Sequence, residues 1–378
     1  MFSKGTTDCY KVVLVVAAVL LVRSGLITGK ELPLRGFKTD ISKAIIDLSE
    51  LRGGGPPKDG IPAILFPKFI APYQAKEWLK PNEPVISVVI NERAKAYPLQ
   101  ILVWHELIND SIAETPVVVG FCPLCYSAVV YKSKIDNRKY TFGVSGTLRN
   151  SNLVMYDHKT ETFWQQITGQ AIVGDLVGHQ LEPIPAQIIA FRQFTETYKN
   201  GLVLSRDTGY RRDYGRNPYL GYDDVSSRPF MYSGRHDDRL PPMEKVVTVS
   251  IGEQSMAYPY STTAKQKVIN DRLGDRPLTI FHGPGAVSAL DKRRIAASRH
   301  VGSTGVFDRR VQDKTLTFIW DNDSLKDDQT RSTWDITGRA IAGPLQDTQL
   351  ESISHGDYFA FAWFAFKPET KVYKAQKQ

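Results

Sequence analysis

Two cysteines in the first half of the sequence are the residue types best suited to chemistry. Cys122 and Cys125 form a CxxC motif within residues 120–128, and they are two of only three cysteines in the 378-residue chain. Cysteines at this spacing close a disulfide, carry out thiol–disulfide exchange, or supply two thiolates to one metal ion. The motif alone leaves these three kinds of site open.

The flanks of the motif predict the element that holds it. Residues 117–119 and 128–131 are rich in valine and tyrosine, which favours β-strands on both sides of a turn. Thioredoxin-type sites instead place the first cysteine at a helix N-terminus, where the helix dipole lowers its pKa. A strand–turn–strand knuckle therefore favours a metal site or a structural disulfide. Tyr126 stands where a c-type haem motif has histidine, so we expect no haem.

An internal repeat helps to separate scaffold from site. Residues 83–128 recur without a gap 161 positions later as residues 244–289, for example as Ala-Tyr-Pro at residues 96–98 and 257–259. After an insertion, the match resumes between residues 157–184 and residues 327–353. We interpret the sequence as a tandem duplication.

The second copy lacks the reactive residues of the first. The residues opposite Cys122, Cys125, His105 and Glu106 are Gly283, Ala286, Gln266 and Lys267. A site shared by both thiols and the imidazole explains their joint loss, and independent drift of a degenerate copy is the alternative. Soft and borderline metals take such mixed ligands. The leading hypothesis is therefore a copper or zinc site formed by Cys122, Cys125 and His105.

Two further residues complete the predicted site. Met155 offers a thioether to a soft metal ion, with core packing as the alternative. Glu106 is a candidate general base, with a surface or capping carboxylate as the alternative. Three protein ligands and an open position are typical of a reactive centre with a redox or metal-handling role. Two other hypotheses stay open: a metal-free thiol–disulfide protein, and a non-catalytic binding module with a structural CxxC disulfide.

Composition excludes several partners. The chain is 42% apolar and 23% charged, as in ordinary globular proteins, and its net charge of +8 is scattered rather than clustered. We therefore expect no nucleic-acid binding. The glycines at positions 53–55 lack the Lys-Ser/Thr of a phosphate loop, so we expect no nucleotide. The expected partner is a small molecule or an exported protein.

The N-terminus indicates export. Lys4 and Lys11 precede an apolar run at residues 12–22, which fits a signal-peptide core and is short for a membrane span. Cys9 precedes this run and is not placed as a lipoprotein cysteine. We predict a periplasmic or otherwise extracytoplasmic protein, soluble or anchored at a membrane by an uncleaved N-terminus.

These patterns predict an α+β, β-rich fold of two homologous halves packed together. The predicted parts are a signal peptide or anchor (1–25), a leader packing on the first repeat (26–80), a site-bearing repeat (81–205), a Tyr- and Arg-rich inter-repeat segment (206–240) and a degenerate structural repeat (241–373). Predicted helices cover residues 38–51, 101–108, 191–200 (capped by Gly201) and 358–366, and predicted hairpins cover residues 85–98 and 140–157.

Several motifs, taken in order, resemble a bacterial family catalogued as domain of unknown function 3179. The resemblance spans most of residues 80–373 and rests on residues 104–110, 121–125, 142–146, 150–157 and Trp164. It implies an exported protein and carries no established activity. Tyr126 departs from the family pattern, which often has a small residue after the second cysteine.

Overall fold

The computed structural model describes residues 34–375, so the predicted signal segment and Cys9 lie outside the described residues. Within this range the chain is α+β and β-rich, with short helices between mostly antiparallel sheets. No described helix combines the length and apolar character needed to cross a membrane.

The first half of the described chain builds four sheets. Its strands are β1 (Leu51–Gly53), β2 (Phe69–Ile70), β3 (Pro84–Ile90), β4 (Arg93–Pro98), β5 (Leu107–Ile112), β6 (Thr115–Cys122), β7 (Ser127–Lys132), β8 (Lys134–Ile135), β9 (Arg138–Lys139), β10 (Phe142–Arg149), β11 (Asn152–Asp157), β12 (Phe163–Gln165), β13 (Gln170–Val173), β14 (Ala186–Ala190) and β15 (Leu202–Leu204). Its helices are α1 (Pro72–Ala75), α2 (Leu99–His105) and α3 (Phe191–Thr197). The strand orders are β14-β3-β4-β15-β2, β5-β6-β7, β1-β10-β11-β12-β13 and β8-β9.

The second half follows the same order of elements. Its strands are β16 (Lys245–Ile251), β17 (Gln254–Pro259), β18 (Val268–Leu273), β19 (Arg276–Gly283), β20 (Ser303–Asp308), β21 (Arg310–Val311), β22 (Lys314–Thr315), β23 (Phe318–Asp321), β24 (Ser324–Asp327), β25 (Thr333–Trp334), β26 (Ala340–Ala342), β27 (His355–Phe359) and β28 (Lys371–Val372), and its helices are α4 (Tyr260–Gln266) and α5 (Ala360–Phe366). The strand orders are β27-β16-β17-β28, β18-β19-β20, β23-β24-β25-β26 and β21-β22. In both halves the last strand joins its sheet in parallel, β15 beside β4 and β28 beside β17.

Residues that recur in the sequence make the same contacts in both halves. Asn109 brackets the backbone of Phe142, accepting from its N–H at 2.7 Å and donating to its carbonyl at 2.9 Å. Asn270 brackets Phe318 in the same way, at 2.9 and 2.7 Å. A buried carboxylate also accepts the indole N–H of a tryptophan in each half, Asp157 with Trp164 and Asp327 with Trp334. These recurrent residues stabilise the fold.

The two halves share their hydrophobic cores. Phe191 and Phe194 of α3 pack in one cluster with Phe307 of the second half. Phe361 of α5 packs in another cluster with Val130 of the first half. The apolar stretch predicted as a helix at 358–366 thus begins as the end of β27 and continues as α5, at the junction of the halves. The two largest clusters each need residues from both halves.

The predicted helix at residues 38–51 is wrong. This segment forms turns, a 3-10 turn at Leu48–Glu50 and the start of β1. The Asp40 carboxylate accepts from the Ser42 N–H at 3.1 Å, and the Asp47 carboxylate accepts from the Ser49 N–H at 2.8 Å. Such side-chain bonds offer the backbone an alternative to helical bonding, which explains why the helical spacing of apolar residues here is misleading.

Two other predicted helices have different ends. Helix α2 starts and ends earlier than predicted. It ends at His105 because Glu106 has a φ of 56° and leads directly into β5. Helix α3 ends at Thr197, and Gly201 lies outside the left-handed region that a glycine cap requires. A side chain at Gly201 would instead collide with the Phe194 ring, so close packing explains this glycine.

Candidate functional site

The CxxC motif forms the turn between β6 and β7, as its flanks predict. Strand β6 ends at Cys122, β7 begins at Ser127, and the Cys125 N–H donates to the Cys122 carbonyl at 3.2 Å. Tyr126 completes the turn with a φ of 53°. Both cysteines are free thiols, 1% and 0% exposed. The strand–turn–strand arrangement is confirmed.

The two thiols contact each other and differ in acidity. Burial opposes ionisation of Cys122, but hydrogen bonds from the Cys125 thiol and from nearby backbone N–H groups outweigh it and lower the pKa of Cys122. Burial raises the pKa of Cys125 well above its usual range, and the bond to Cys122 together with the Cys122 charge raises it further. The pair therefore ionises first at Cys122.

A long β-hairpin brings its tip to the sulfurs. Strands β10 and β11 turn at Asn150 and Ser151, with φ values of 47° and 66°. The protonated Cys122 thiol donates to the Ser151 carbonyl at 3.9 Å, and the Leu153 N–H points at the same sulfur. The corresponding hairpin of the second half has strands of only four residues, against eight and six here. The longer first hairpin is the one whose tip contacts the CxxC turn.

Asn152 is a site residue that the sequence analysis missed. Its Oδ1 accepts from Gln165 Nε2 at 2.6 Å and from the Ile167 N–H at 3.1 Å, which fixes the orientation of the amide. Its Nδ2 donates to Gln166 Oε1 at 2.9 Å, and the amide also lies against Cys125, where it favours the thiolate and opposes the rise in pKa. The greater length of the first hairpin was the available signal.

Glu106 places a buried carboxyl beside the thiols. It is 7% exposed, and it lies close enough to Cys122 for the two charges to interact. Burial raises the pKa of Glu106 well above its usual range, and the charge of Cys122 adds to the effect. Lys267 has nearly the same φ and ψ, 63° and −38° against 56° and −38°. Both halves therefore share this backbone conformation, and only the first half has a carboxyl side chain at this position.

The structure does not bring His105 together with the thiols. Its Nδ1 lies 2.8 Å from the Pro62 carbonyl and its Nε2 lies 2.7 Å from the Tyr214 hydroxyl. Since a carbonyl oxygen only accepts, Nδ1 donates the proton and Nε2 accepts from Tyr214. Both ring nitrogens are occupied, so the histidine ties α2 to neighbouring segments in this structure, and the cluster of His105 with Cys122 and Cys125 stays a prediction from the sequence.

The remaining predicted ligand, Met155, is fully buried on β11 between Val144 and Trp164 of the adjacent strands. Across residues 34–375, no three His, Cys, Asp or Glu side chains are arranged to hold a metal ion. The copper or zinc site therefore rests on the sequence alone.

Two buried histidines predict acid sensitivity. Burial lowers the pKa of His105 and of His282 to about 4, so both are neutral at pH 7. Between pH 6.5 and 4 these two side chains bind protons in the unfolded chain but not in the folded chain, so their contribution to stability falls as the pH falls. We expect a loss of up to about 3 kcal/mol per histidine across this window.

Urea unfolding at pH 7 and pH 4.5 measures this effect. The variant carrying His105→Gln and His282→Gln should lose clearly less stability on acidification than the unmodified chain. His300→Gln, at an exposed histidine, serves as the control and should retain the full dependence. Equal pH dependence in the double variant and the unmodified chain would contradict the assignment.

The inter-repeat segment, residues 206–240, covers the CxxC turn, and we call it the strap. Among the described residues it contains no helix or strand. The Tyr222 hydroxyl donates to the Leu124 carbonyl at 3.1 Å, inside the CxxC motif, and accepts from the Phe230 N–H at 3.0 Å. Tyr219 of the strap lies beside Glu106 and Cys122. The strap therefore shields the thiols from solvent.

Asp223 anchors the strap to the second half. Its carboxylate pairs with Arg299 at 2.8 Å, accepts from the Ser288 hydroxyl, and lies 3.8 Å from Lys245 Nζ. The Lys245 ammonium also lies 3.5 Å from the ring centroid of Tyr126, next to the second cysteine. Burial lowers the pKa of Lys245 to about 8, with Asp223 acting in the opposite direction. A buried charged cluster thus adjoins the CxxC turn.

The fold and the site define an α+β chain with a buried CxxC pair on a strand turn, closed by a hairpin and a strap. The chain belongs to the family described as Protein of unknown function (DUF3179), whose model matches residues 58–370. This range contains the turn, the hairpin and the strap, and it confirms the resemblance found in the sequence. No curated protein and no solved structure matches the chain.

Proposed function

We propose that this chain is an exported thiol–disulfide protein in which Cys122 and Cys125 cycle between a dithiol and a disulfide. The observation that carries the proposal is the contact between two free, buried thiols whose pKa values are shifted in opposite directions. Unequal acidity lets one sulfur attack while the other waits as a thiol. The apolar run at residues 12–22 and the family resemblance support export to an oxidising compartment.

The reaction follows from the order of ionisation. The Cys122 thiolate attacks one sulfur of a substrate disulfide, forms a mixed disulfide, and releases the first substrate thiolate, which takes up a proton. Cys125 then loses its proton and attacks the Cys122 sulfur, releasing the second substrate thiol. The substrate gains two electrons and two protons, and the protein dithiol becomes a disulfide.

Glu106 and Asn152 suit the second step of this reaction. Burial makes the Glu106 carboxylate a stronger base than an ordinary carboxylate, so Glu106 in its ionised form is the proton acceptor for Cys125 in this scheme. The oriented Asn152 amide stabilises the Cys125 thiolate while it forms.

We also propose that the second half arose by tandem duplication and serves as scaffold. The recurrence of element order, of the parallel closing strand and of the Asn brackets supports a common origin. Gly283 and Ala286 replace the two cysteines there, and its hairpin is short. The proposed chemistry therefore belongs to the first half.

A redox titration tests the proposed function. The purified chain is equilibrated in glutathione buffers of graded potential, quenched in acid, alkylated with N-ethylmaleimide and weighed by mass spectrometry. We expect one transition in which both thiols disappear together, and its absence in Cys122→Ser and Cys125→Ser. Thiols that remain alkylatable at every potential would overturn the proposal. Native mass spectrometry that finds bound copper or zinc would instead support the metal site predicted from the sequence.

Replacing Glu106 by glutamine should slow oxidation of the pair. The amide keeps the shape of the carboxyl but exchanges no proton, so we expect disulfide formation by oxidised glutathione at pH 7 to slow by about 100-fold. Lys267→Gln is the matched control, because it makes the same kind of change at the corresponding backbone position of the second half. A rate for Glu106→Gln within twofold of the unmodified chain would remove this carboxyl from the reaction.

A further inference from the structure

The second half of the chain contacts the CxxC turn directly. The Phe359 N–H donates to the Cys125 carbonyl at 2.9 Å, and the Phe359 ring contacts the Tyr126 ring at a centroid distance of 5.7 Å. The Lys245 ammonium lies 3.5 Å from the centroid of the same Tyr126 ring. Lys245 and Phe359 are direct partners in the antiparallel pairing of β16 with β27. One cross-strand pair therefore makes all of these contacts, and we call Lys245 and Phe359 the clamp.

The clamp has no equivalent in the first half. The corresponding cross-strand pair there joins Pro84 of β3 to Ala190 of β14. Pro84 precedes Lys245 by the spacing of the internal repeat, and Ala190 directly precedes α3 as Phe359 directly precedes α5. Proline and alanine carry neither a charge nor an aromatic ring. The fold therefore does not require a lysine opposite a phenylalanine at this position, and a role specific to the second half explains them.

Burial of Lys245 opposes folding unless the ammonium is compensated. Its Nζ is buried and donates no hydrogen bond to any residue that the structure describes. Asp223 lies 3.8 Å from it, beyond hydrogen-bond distance, and is paired more closely with Arg299 at 2.8 Å. A buried ammonium without hydrogen bonds destabilises a protein. A desolvated cation over an aromatic face is attracted to the ring, so the contact with Tyr126 compensates for part of this cost.

The CxxC turn needs support from its surroundings. Tyr126 has a φ of 53°, in the left-handed region that residues with a side chain rarely adopt. Such backbone persists where neighbouring groups hold it in place. The peptide unit between Cys125 and Tyr126 is held at both of its polar atoms, since its carbonyl accepts from Phe359 and its N–H donates to the Pro123 carbonyl at 3.3 Å. With the Tyr126 ring held by Lys245, the clamp fixes the position of Cys125 in the turn.

We propose that Lys245 is a positioning residue for the thiol pair, and that the clamp holds Cys125 where it resolves a mixed disulfide on Cys122. This inference rests on the proposed function, because it concerns the second step of that reaction. In this step the Cys125 thiolate bonds to the Cys122 sulfur, and the bond from Cys122 to the substrate sulfur breaks as the substrate thiolate leaves. A turn that holds the attacking sulfur in place raises its effective concentration. Lys245 acts on this step through Tyr126.

The time course of the reaction with oxidised glutathione tests the clamp. At pH 7 Lys245 is cationic, because burial lowers its pKa only to about 8. Lys245→Met removes this cation and keeps an unbranched side chain. In samples quenched in acid and weighed by mass spectrometry, we expect the second step to slow about tenfold, as loss of a desolvated cation–π contact implies. The adduct of glutathione with Cys122 should then accumulate, whereas the unmodified chain converts it to the disulfide.

Three other variants separate this contact from a general loss of stability. Lys265→Met makes the same change at an exposed lysine of α4 and should react as the unmodified chain does. Tyr126→Leu removes the ring, should trap the same adduct, and provides the test if Lys245→Met folds poorly. Tyr126→Phe keeps the ring and should restore rapid conversion to the disulfide. A lysine that only stabilised the fold would, on removal, expose both thiols and accelerate the first step without trapping the adduct.

The outcomes distinguish the clamp from the exchange reaction itself. Trapped adduct in Lys245→Met and Tyr126→Leu, with none in Lys265→Met, would support the clamp. If the unmodified chain forms the disulfide and the folded Lys245→Met variant forms it equally fast, the clamp is overturned and the proposed function stands. Equal adduct in Lys265→Met would also overturn the clamp. If the unmodified chain forms no disulfide in the redox titration, the proposed function and the clamp are overturned together.

Discussion

Serine at position 122 is expected to abolish reaction with oxidised glutathione, whereas serine at position 125 is expected to trap the reaction halfway. Without Cys125 no thiol resolves the mixed disulfide, so glutathione stays attached to Cys122. Without Cys122 the remaining thiol stays protonated, because burial raises the pKa of Cys125, and a thiol is a poor nucleophile. Intact mass after acid quenching and alkylation distinguishes the adduct from the free thiol in each variant.

Two results would contradict this assignment of roles. Glutathione attached to Cys125 in Cys122→Ser, with none on Cys122 in Cys125→Ser, would reverse the attacking and resolving sulfurs. Equal adducts in both variants would mean that the thiols react independently. Ser133→Ala is a suitable control, because its buried hydroxyl has no hydrogen-bond partner among the described residues and its loss leaves both sulfurs and Asn152 in place. It should react as the unmodified chain does.

Asparagine at position 223 is expected to destabilise the chain by about 3–5 kcal/mol, because it leaves buried charge without its partner. Asp223 is fully buried and is the carboxylate shared by Lys245 and Arg299. Lys245 is itself only 6% exposed, so water does not replace the lost interaction. Urea unfolding monitored by far-UV circular dichroism measures the change.

Asp224→Asn is the neighbouring control for this change. Its carboxylate is exposed and caps a local turn at Ser226, which asparagine also does, so a change within about 0.5 kcal/mol is expected. Adding Lys245→Met to Asp223→Asn removes the buried cation that has lost its partner and should restore part of the loss. Equal stability of Asp223→Asn and Asp224→Asn would mean that the buried cluster does not anchor the strap.

Local features of the fold were predictable because short-range chemistry decides them. The turn at Asn91 and Glu92, with φ values of 47° and 61°, joins β3 and β4 where the sequence predicts a hairpin. The CxxC turn is confirmed for the same reason, since valine-rich flanks form strands on both sides. The helix expected at residues 38–51 fails because Asp40 and Asp47 satisfy nearby backbone groups, an effect that apolar periodicity does not detect.

The candidate site was only partly predictable. Comparison of the two halves identifies residues unique to the first half, and this correctly selects Cys122, Cys125 and Glu106 as neighbours. It also selects His105, whose ring nitrogens contact Pro62 and the Tyr214 hydroxyl of the strap instead. A residue that occurs in only one half need not contact the other residues that occur only in that half.

The contacts that complete the site join distant parts of the chain. Ser151 meets Cys122 across 29 positions, and Tyr222 meets Leu124 across 98. No local pattern encodes these approaches. The length of the β10–β11 hairpin was the single sequence signal for them, since residues 142–157 exceed the corresponding residues 318–327.

The shared cores have a consequence for how the two halves depend on each other. Because α3 and α5 each pack in a cluster that includes the opposite half, these cores need both halves, and the chain that joins the halves acts as a tether between them. The tether keeps each half at a high effective concentration near the other, so docking is independent of how dilute the protein is. Separately expressed fragments would lose this advantage, and their association in solution would depend on their concentrations.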